Sequence, residues 1–144
     1  MKPVALYVGD ALGRYGFPHG HPFGPDRQDA FWREAQARSL DRRVELCEPV
    51  AATRAELERF CDPDFVSFVA ELSARGQGYF DYGDTPAFPG AYEAVAHVAG
   101  SALAGLRLVM EGKVRRSFQP IGGLHHARRN AAAGFCVIND TGVV

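Results

Sequence analysis

Two adjacent histidines, His125 and His126, follow the glycine pair Gly122 and Gly123 and precede the triplet Gly134, Phe135 and Cys136. Neighbouring imidazoles can divide the work of proton transfer. One stays neutral and takes a proton; the other is charged and stabilises negative charge or protonates a leaving group. Amide hydrolysis demands that division. On an extended segment adjacent side chains point to opposite faces, so both rings reach one site only if the backbone bends. Gly122 and Gly123 permit the bend. The plainer reading puts one histidine on a core hydrogen bond and the other in solvent. The pair alone leaves both readings open.

The elements around this stretch read as alternating strands and helices. Val4 to Val8 is a short apolar run of the kind a buried parallel strand uses. Gly13 to Asp26 is dense in glycine and proline and reads as loop. A helix is expected from Pro25 to about Leu40, with Phe31, Trp32 and Ala35 on one face. Arg43 to Cys47 reads as a second strand, and Thr53 with Glu56 forms a capping-box pattern at a short helix. Pro63 to Arg75 reads as a helix, with Phe65, Phe68, Val69 and Leu72 on its inner face.

After a loop from Gly76 to Pro89, a long helix runs to about Glu111 and ends at Gly112. Its inner face is expected to carry Tyr92, Val95, Val98, Leu103, Leu106 and Met110. Ser117 to Ile121 reads as a third strand ending in the glycine pair, and Asn139 or Asp140 as the cap of one more helix. This order predicts an α/β fold with a parallel sheet. The histidines then fall in the loop at the C-terminal end of a strand, where such folds place ligands.

The chain has 144 residues, 47% hydrophobic and 23% charged, with a net charge of −1. That is enough for one domain, and nothing in the charge favours nucleic acid or an anionic membrane. No apolar run reads as a membrane span and no signal peptide is apparent. Cys47, Cys61 and Cys136 are scattered without a C-x-x-C pair, which argues against a disulfide framework and for a reducing cytoplasm.

The stretch from Leu124 to Asp140, L-H-H-A-R-R-x-x-A-x-G-F-C-x-x-N-D, resembles the histone deacetylase family. That family includes bacterial acetoin-utilisation proteins and acetylpolyamine amidohydrolases. Three further segments match in family order: HPFGPDR at His21–Arg27, DPDFV at Asp62–Val66 and DTPAFPGAYEA at Asp84–Ala94. The resemblance implies a three-layer α/β/α domain with a parallel sheet, shared with arginases. It also implies hydrolysis of acetyl-lysine or small acylated amines with one Zn2+ ion. By the same resemblance His126 matches the general base and acid, and His125 its electrostatic partner. Phe135 matches the wall of the acyl-lysine channel, Gly134 the carbonyl that accepts the substrate amide N–H, and Asp84 the rim aspartate. Arg27, Gly122 and Gly123 match residues lining an inner cavity. Cys136 matches a packed cysteine rather than a nucleophile.

Each of these residues also has a plainer role. Phe135 can be core, Asp84 can cap a turn, and Arg27 can pair with a carboxylate. His19 and His21 could look like a metal pair, but their loop offers no fixed geometry.

The family's zinc ligands, its carbonyl-polarising tyrosine and the aspartates that orient the imidazoles lie in segments this sequence does not contain. No metal ligands are therefore assigned here, since a catalytic zinc needs three protein ligands and an open position. The expectation is a single domain, residues 1–144, forming the N-terminal part of a deacetylase and inert alone. Exposed sheet edges would favour a homo-oligomer or a partner chain. Ile121, where many deacetylases carry tryptophan, leaves the inner cavity's shape open. A non-catalytic acyl-lysine binding module is the alternative. A further reading takes Asp140-Thr141-Gly142 as the motif of an aspartic protease assembled by dimerisation, against the helical character upstream.

Overall fold

The computed structural model describes residues 3–144. Three parallel strands form a sheet in the order β2-β1-β3. The central strand β1, Val4–Tyr7, is the apolar run, with Ala5, Leu6 and Tyr7 buried. It pairs with β2, Glu45–Cys47, in the register Ala5 to Glu45, and with β3, Arg116–Phe118, in the register Ala5 to Ser117. Burial on both faces is what a continuous apolar run is for. Both flanking strands are short and more exposed.

The helices in chain order are α1, Asp10–Gly13; α2, Arg27–Ala37; α3, Arg54–Leu57; α4, Pro63–Arg75; α5, Ala91–Met110; and α6, Asp140–Val143. The α/β class read from the sequence is the class observed. Capping follows the sequence closely. Thr53 Oγ1 accepts from the Glu56 N–H, and the Glu56 carboxylate accepts from the Thr53 N–H. Pro63 opens α4, and Gly76, in the left-handed region at φ 67°, closes it. Asn139 caps α6 by accepting from the Gly142 N–H at 2.8 Å.

Helix α5 is the spine of the core. Its buried face runs through Val95, Val98, Ala99 and Leu103. Small residues let the main chain come close: a Cβ at Gly100 would collide with the backbone of residues 50–52. There the Ala52 N–H donates to the Ala96 carbonyl at 2.9 Å and the Val50 N–H to Ser101 Oγ at 3.1 Å. Gly105 leaves room for the side chain of Ser117 on β3.

Several sequence expectations change, and the second strand begins at Glu45 rather than Arg43. The third strand ends at Phe118 rather than Ile121. Beyond it the Gln119 side chain, not a ladder, meets the carbonyls of Val98 and Ile121. Helix α1 had no sequence signal; the Gln28 amide builds it by donating to the Gly9 carbonyl and accepting the Gly9 N–H. Met110 is 77% exposed because it ends α5 beyond the sheet, and Phe68 is 42% exposed, leaning on Phe65 and Phe80. Finally, α5 is long and apolar enough by composition to cross a membrane, with mean hydropathy 1.2. Alanines and valines produce that window, and half of it is buried within the protein.

Candidate active site

The loop after β3 carries the tandem histidines, and a buried carboxylate sets its shape. Asp140, 4% exposed at the start of α6, accepts from the Gly123 N–H at 2.9 Å and from the Leu124 N–H at 2.6 Å. Gly123 is in the left-handed region at φ 71°. A Cβ on Gly122 would press on Gln119 and on the Asp140 carboxylate. Asn139 continues the anchoring, donating through Nδ2 to the Ala127 carbonyl at 2.9 Å. The glycine pair therefore supplies conformational freedom, and Asp140 selects one bend from it.

The bend brings the two imidazoles together, with ring centroids 4.3 Å apart and 35° between planes. Both are exposed. His125 Nδ1 lies 2.9 Å from the Gly123 carbonyl. A carbonyl can only accept, so Nδ1 carries the proton and Nε2 is turned outward. His126 packs against Gly134: a Cβ there would lie 3.0 Å from the His126 ring. His126 and Gly134 line a cavity of about 500 Å³ together with Asp81, Tyr82, Asp84 and Arg128.

Phe135 lines a neighbouring cavity of about 710 Å³, with His21, Tyr79, Asp84 and Phe88 among its walls. Asp84 borders both spaces. The sequence reading placed Phe135 and His126 along one channel; the structure puts them on adjoining cavities that meet at Asp84. The backbone explains this. Gly134 and Phe135 are both left-handed, at φ 53° and 69°, and the phenyl ring packs on His21 and Phe17. A bulky residue at positive φ is an outlier that the surroundings must hold in place.

Arg27 is exposed, its guanidinium 4.3 Å over the Phe23 ring. Among its contacts is a cation–π one to an aromatic of its own loop, and none of the cavities described above includes Arg27, Gly122 or Gly123. His21 is structural: Nδ1 accepts the Phe23 N–H at 3.0 Å, leaving Nε2–H to donate to the Asp84 carbonyl at 3.0 Å. Cys136 is buried, and burial raises its thiol pKa; the same effect pushes Cys61 up to about 11. Neither is poised as a thiolate. Asp140 of the Asp-Thr-Gly triplet spends both oxygens on backbone N–H groups at a helix start, which is not the shared-proton geometry of an aspartic protease.

Sequence reasoning missed Asp81, Thr85, Tyr15 and the anchoring role of Asp140. The spacing Asp81-Tyr82-Gly83-Asp84-Thr85 was a legible turn signal. Asp81 Oδ1 accepts from the N–H groups of Gly83, Asp84 and Thr85, at 3.0, 3.0 and 2.9 Å. Burial would raise the Asp81 pKa, but the Thr85 hydroxyl and these backbone donors outweigh it and hold the carboxyl below its usual value.

Among the described residues, no three His, Cys, Asp or Glu side chains converge on a point where a metal could sit. No carboxylate lies within 4.0 Å of either imidazole there. The described residues therefore do not fit a zinc ion by themselves.

A parallel α/β sheet with two imidazoles in the loop beyond a strand is the architecture that carries the candidate site. Residues 21–144 match the model of the histone deacetylase domain, and the chain belongs to that family. It is 29% identical over 147 residues to histone deacetylase RPD3 of Saccharomyces cerevisiae, covering 96% of this chain and 34% of that protein. It is 29% identical to histone deacetylase 6 of Arabidopsis thaliana, covering 96% and 32%. For probable histone deacetylase 1-A of Xenopus laevis the identity is 28%, covering 96% and 31%. The chain thus spans about a third of the length of these relatives. Its fold is similar to that part of the crystallised HDA15 HD domain it matches, with a TM-score of 0.87 at 23% identity over 99% of this chain and 42% of that one.

Proposed function

We propose that residues 1–144 form the proton-transfer and substrate-holding part of a zinc-dependent deacetylase domain that hydrolyses acetyl-lysine or a related acylated amine. The observation that carries this reading is the 4.3 Å approach of the His125 and His126 rings, with His126 lining a cavity edged by Gly134 and Asp84 and His125 beside it, outside that lining. In this reading His126 takes a proton from the attacking water and returns it to the departing amine. His125, its Nδ1–H held by the Gly123 carbonyl, carries positive charge beside the developing negative charge. The Gly134 carbonyl receives the substrate amide N–H. Asp84, exposed at the rim, holds the peptide backbone, and Phe135 offers an apolar face to the methylene stem.

Zinc dependence is part of the proposal and comes from the family resemblance. Its ligands would be supplied by residues other than those described, so the 144-residue chain by itself is expected to turn over no substrate. The relatives compared are eukaryotic histone deacetylases. The kinship to acetoin-utilisation proteins and acetylpolyamine amidohydrolases rests on the sequence motif alone.

The test uses the protein at its full natural length, an acetyl-lysine peptide and an N-acetylated diamine. His126→Ala is expected to lower kcat by roughly 10²-fold or more, the scale of general acid–base catalysis. Turnover within threefold of wild type in that variant would refute the role given to His126.

A further inference from the structure

We infer that Thr85 and Asp81 are positioning residues that lock the rim Asp84 and the wall Phe135 into one rigid unit, fixing the distance between substrate backbone and acyl-lysine stem. The inference rests on the roles given to Asp84 and Phe135 above.

The direction of each hydrogen bond is set by chemistry. The Thr85 hydroxyl lies 2.6 Å from Asp81 Oδ2 and 3.0 Å from the Phe135 nitrogen. An ionised carboxylate only accepts and a backbone N–H only donates. The hydroxyl therefore gives its proton to Asp81 and receives the Phe135 N–H. Thr85 is completely buried between the half-buried Asp81 and Phe135, so the middle of the relay is shielded from water and successive bonds reinforce one another. The same Asp81 carboxylate also takes the Asp84 N–H at 3.0 Å. One carboxylate thus ties the rim directly and the wall through a single hydroxyl.

The far ends of both residues are tied as well. The Asp84 carbonyl accepts from His21 Nε2–H at 3.0 Å, and the His21 ring packs edge-on to Phe135 with centroids 4.5 Å apart. The Phe135 carbonyl accepts from the buried Tyr15 hydroxyl at 2.7 Å, whose oxygen takes the Val137 N–H at 3.1 Å. Phe135 is therefore clamped at its N–H by Thr85 and at its carbonyl by Tyr15. These two clamps hold a backbone at φ 69° that phenylalanine avoids when free. Without the Thr85 acceptor the strained residue has a reason to relax, and the wall leaves its place beside Asp84.

Thr85→Val keeps the shape and removes the hydroxyl. In the full-length protein KM for the acetyl-lysine peptide is expected to rise about tenfold, the worth of one buried hydrogen bond. The kcat should stay within about threefold, because neither histidine is touched. Thr85→Ser should restore KM, and hydrogen exchange should show the Phe135 amide protected in wild type and Thr85→Ser but exchanging in Thr85→Val. An unchanged KM in a folded Thr85→Val overturns the inference. So does a loss of folded protein in Thr85→Val that Thr85→Ser does not repair, which marks a merely structural threonine. If Thr85→Val does not fold but Thr85→Ser does, Asp81→Asn reads the same split through the other end of the relay; an unchanged KM there overturns the inference too. A wild-type protein without turnover on either the peptide or the N-acetylated diamine refutes the reading of the site itself, and the inference falls with it.

Discussion

Asp140→Ala removes the acceptor of two backbone N–H groups, those of Gly123 and Leu124, and the two sites differ. Leu124 is 1% exposed, so its N–H is left unpaired where water cannot replace the carboxylate; a hydrogen bond to a charged group lost in that way costs about 2–3 kcal/mol. Gly123 is exposed and rehydrates, adding about 0.5 kcal/mol. Losing an acidic residue from the first turn of α6 adds about 0.3 kcal/mol. The sum is about 3 kcal/mol, more than a hundredfold in the folding equilibrium and a large share of a domain's stability. Asp140→Asn keeps one oxygen for Leu124 and should lose about half as much. The neighbouring exposed Thr141 gives the control, Thr141→Ala, expected within ±0.5 kcal/mol. Urea titration followed by far-UV circular dichroism measures all three. Asp140→Ala within 0.5 kcal/mol of wild type would refute the claim that this carboxylate holds the histidine bend.

Gly134→Ala combines two penalties: φ of 53°, and a Cβ 3.0 Å from the His126 ring. It should displace His126 and lower kcat about tenfold or more in the full-length protein while the fold persists; wild-type kinetics would show that Gly134 does not set the position of that ring. Asp81 supplies a pH prediction. Its carboxyl is held below the usual value, so the stabilisation it lends the rim is complete above the unfolded value of about 4. That contribution is lost only as pH falls through the lower, folded value. Amide resonances of Gly83, Asp84 and Thr85 should therefore stay constant from pH 7 to about pH 4.5 and shift together below it; a transition near pH 6 would contradict the assignment.

Much of the fold was legible because it rests on local rules. The apolar run at β1, the capping box at Thr53, Pro63 at the start of α4 and Asn139 at α6 are signals within a few residues of what they control. The tandem histidines and their glycine bend were legible for the same reason. The rest depends on partners far apart in sequence. Tyr15 meets Phe135 across 120 residues, and Thr85 meets Phe135 across 50; no local period encodes such pairings. The packing of Phe135 on His21 and Phe17 was hidden because a left-handed phenylalanine is a conformation its own chemistry disfavours. Met110 and Phe68 share one lesson. Helical spacing says which side a residue faces, but not where the neighbouring layer stops.

The carboxylate that fixes the histidine bend is encoded 17 positions after Gly123. At ordinary rates of synthesis that delay is roughly one to four seconds. During it the nascent polypeptide has both imidazoles but nothing to arrange them. The chemistry-bearing loop would thus take its shape later than the strand that leads into it, only when the first turn of α6 docks behind it. A chain halted between those two codons would carry its histidine pair unset.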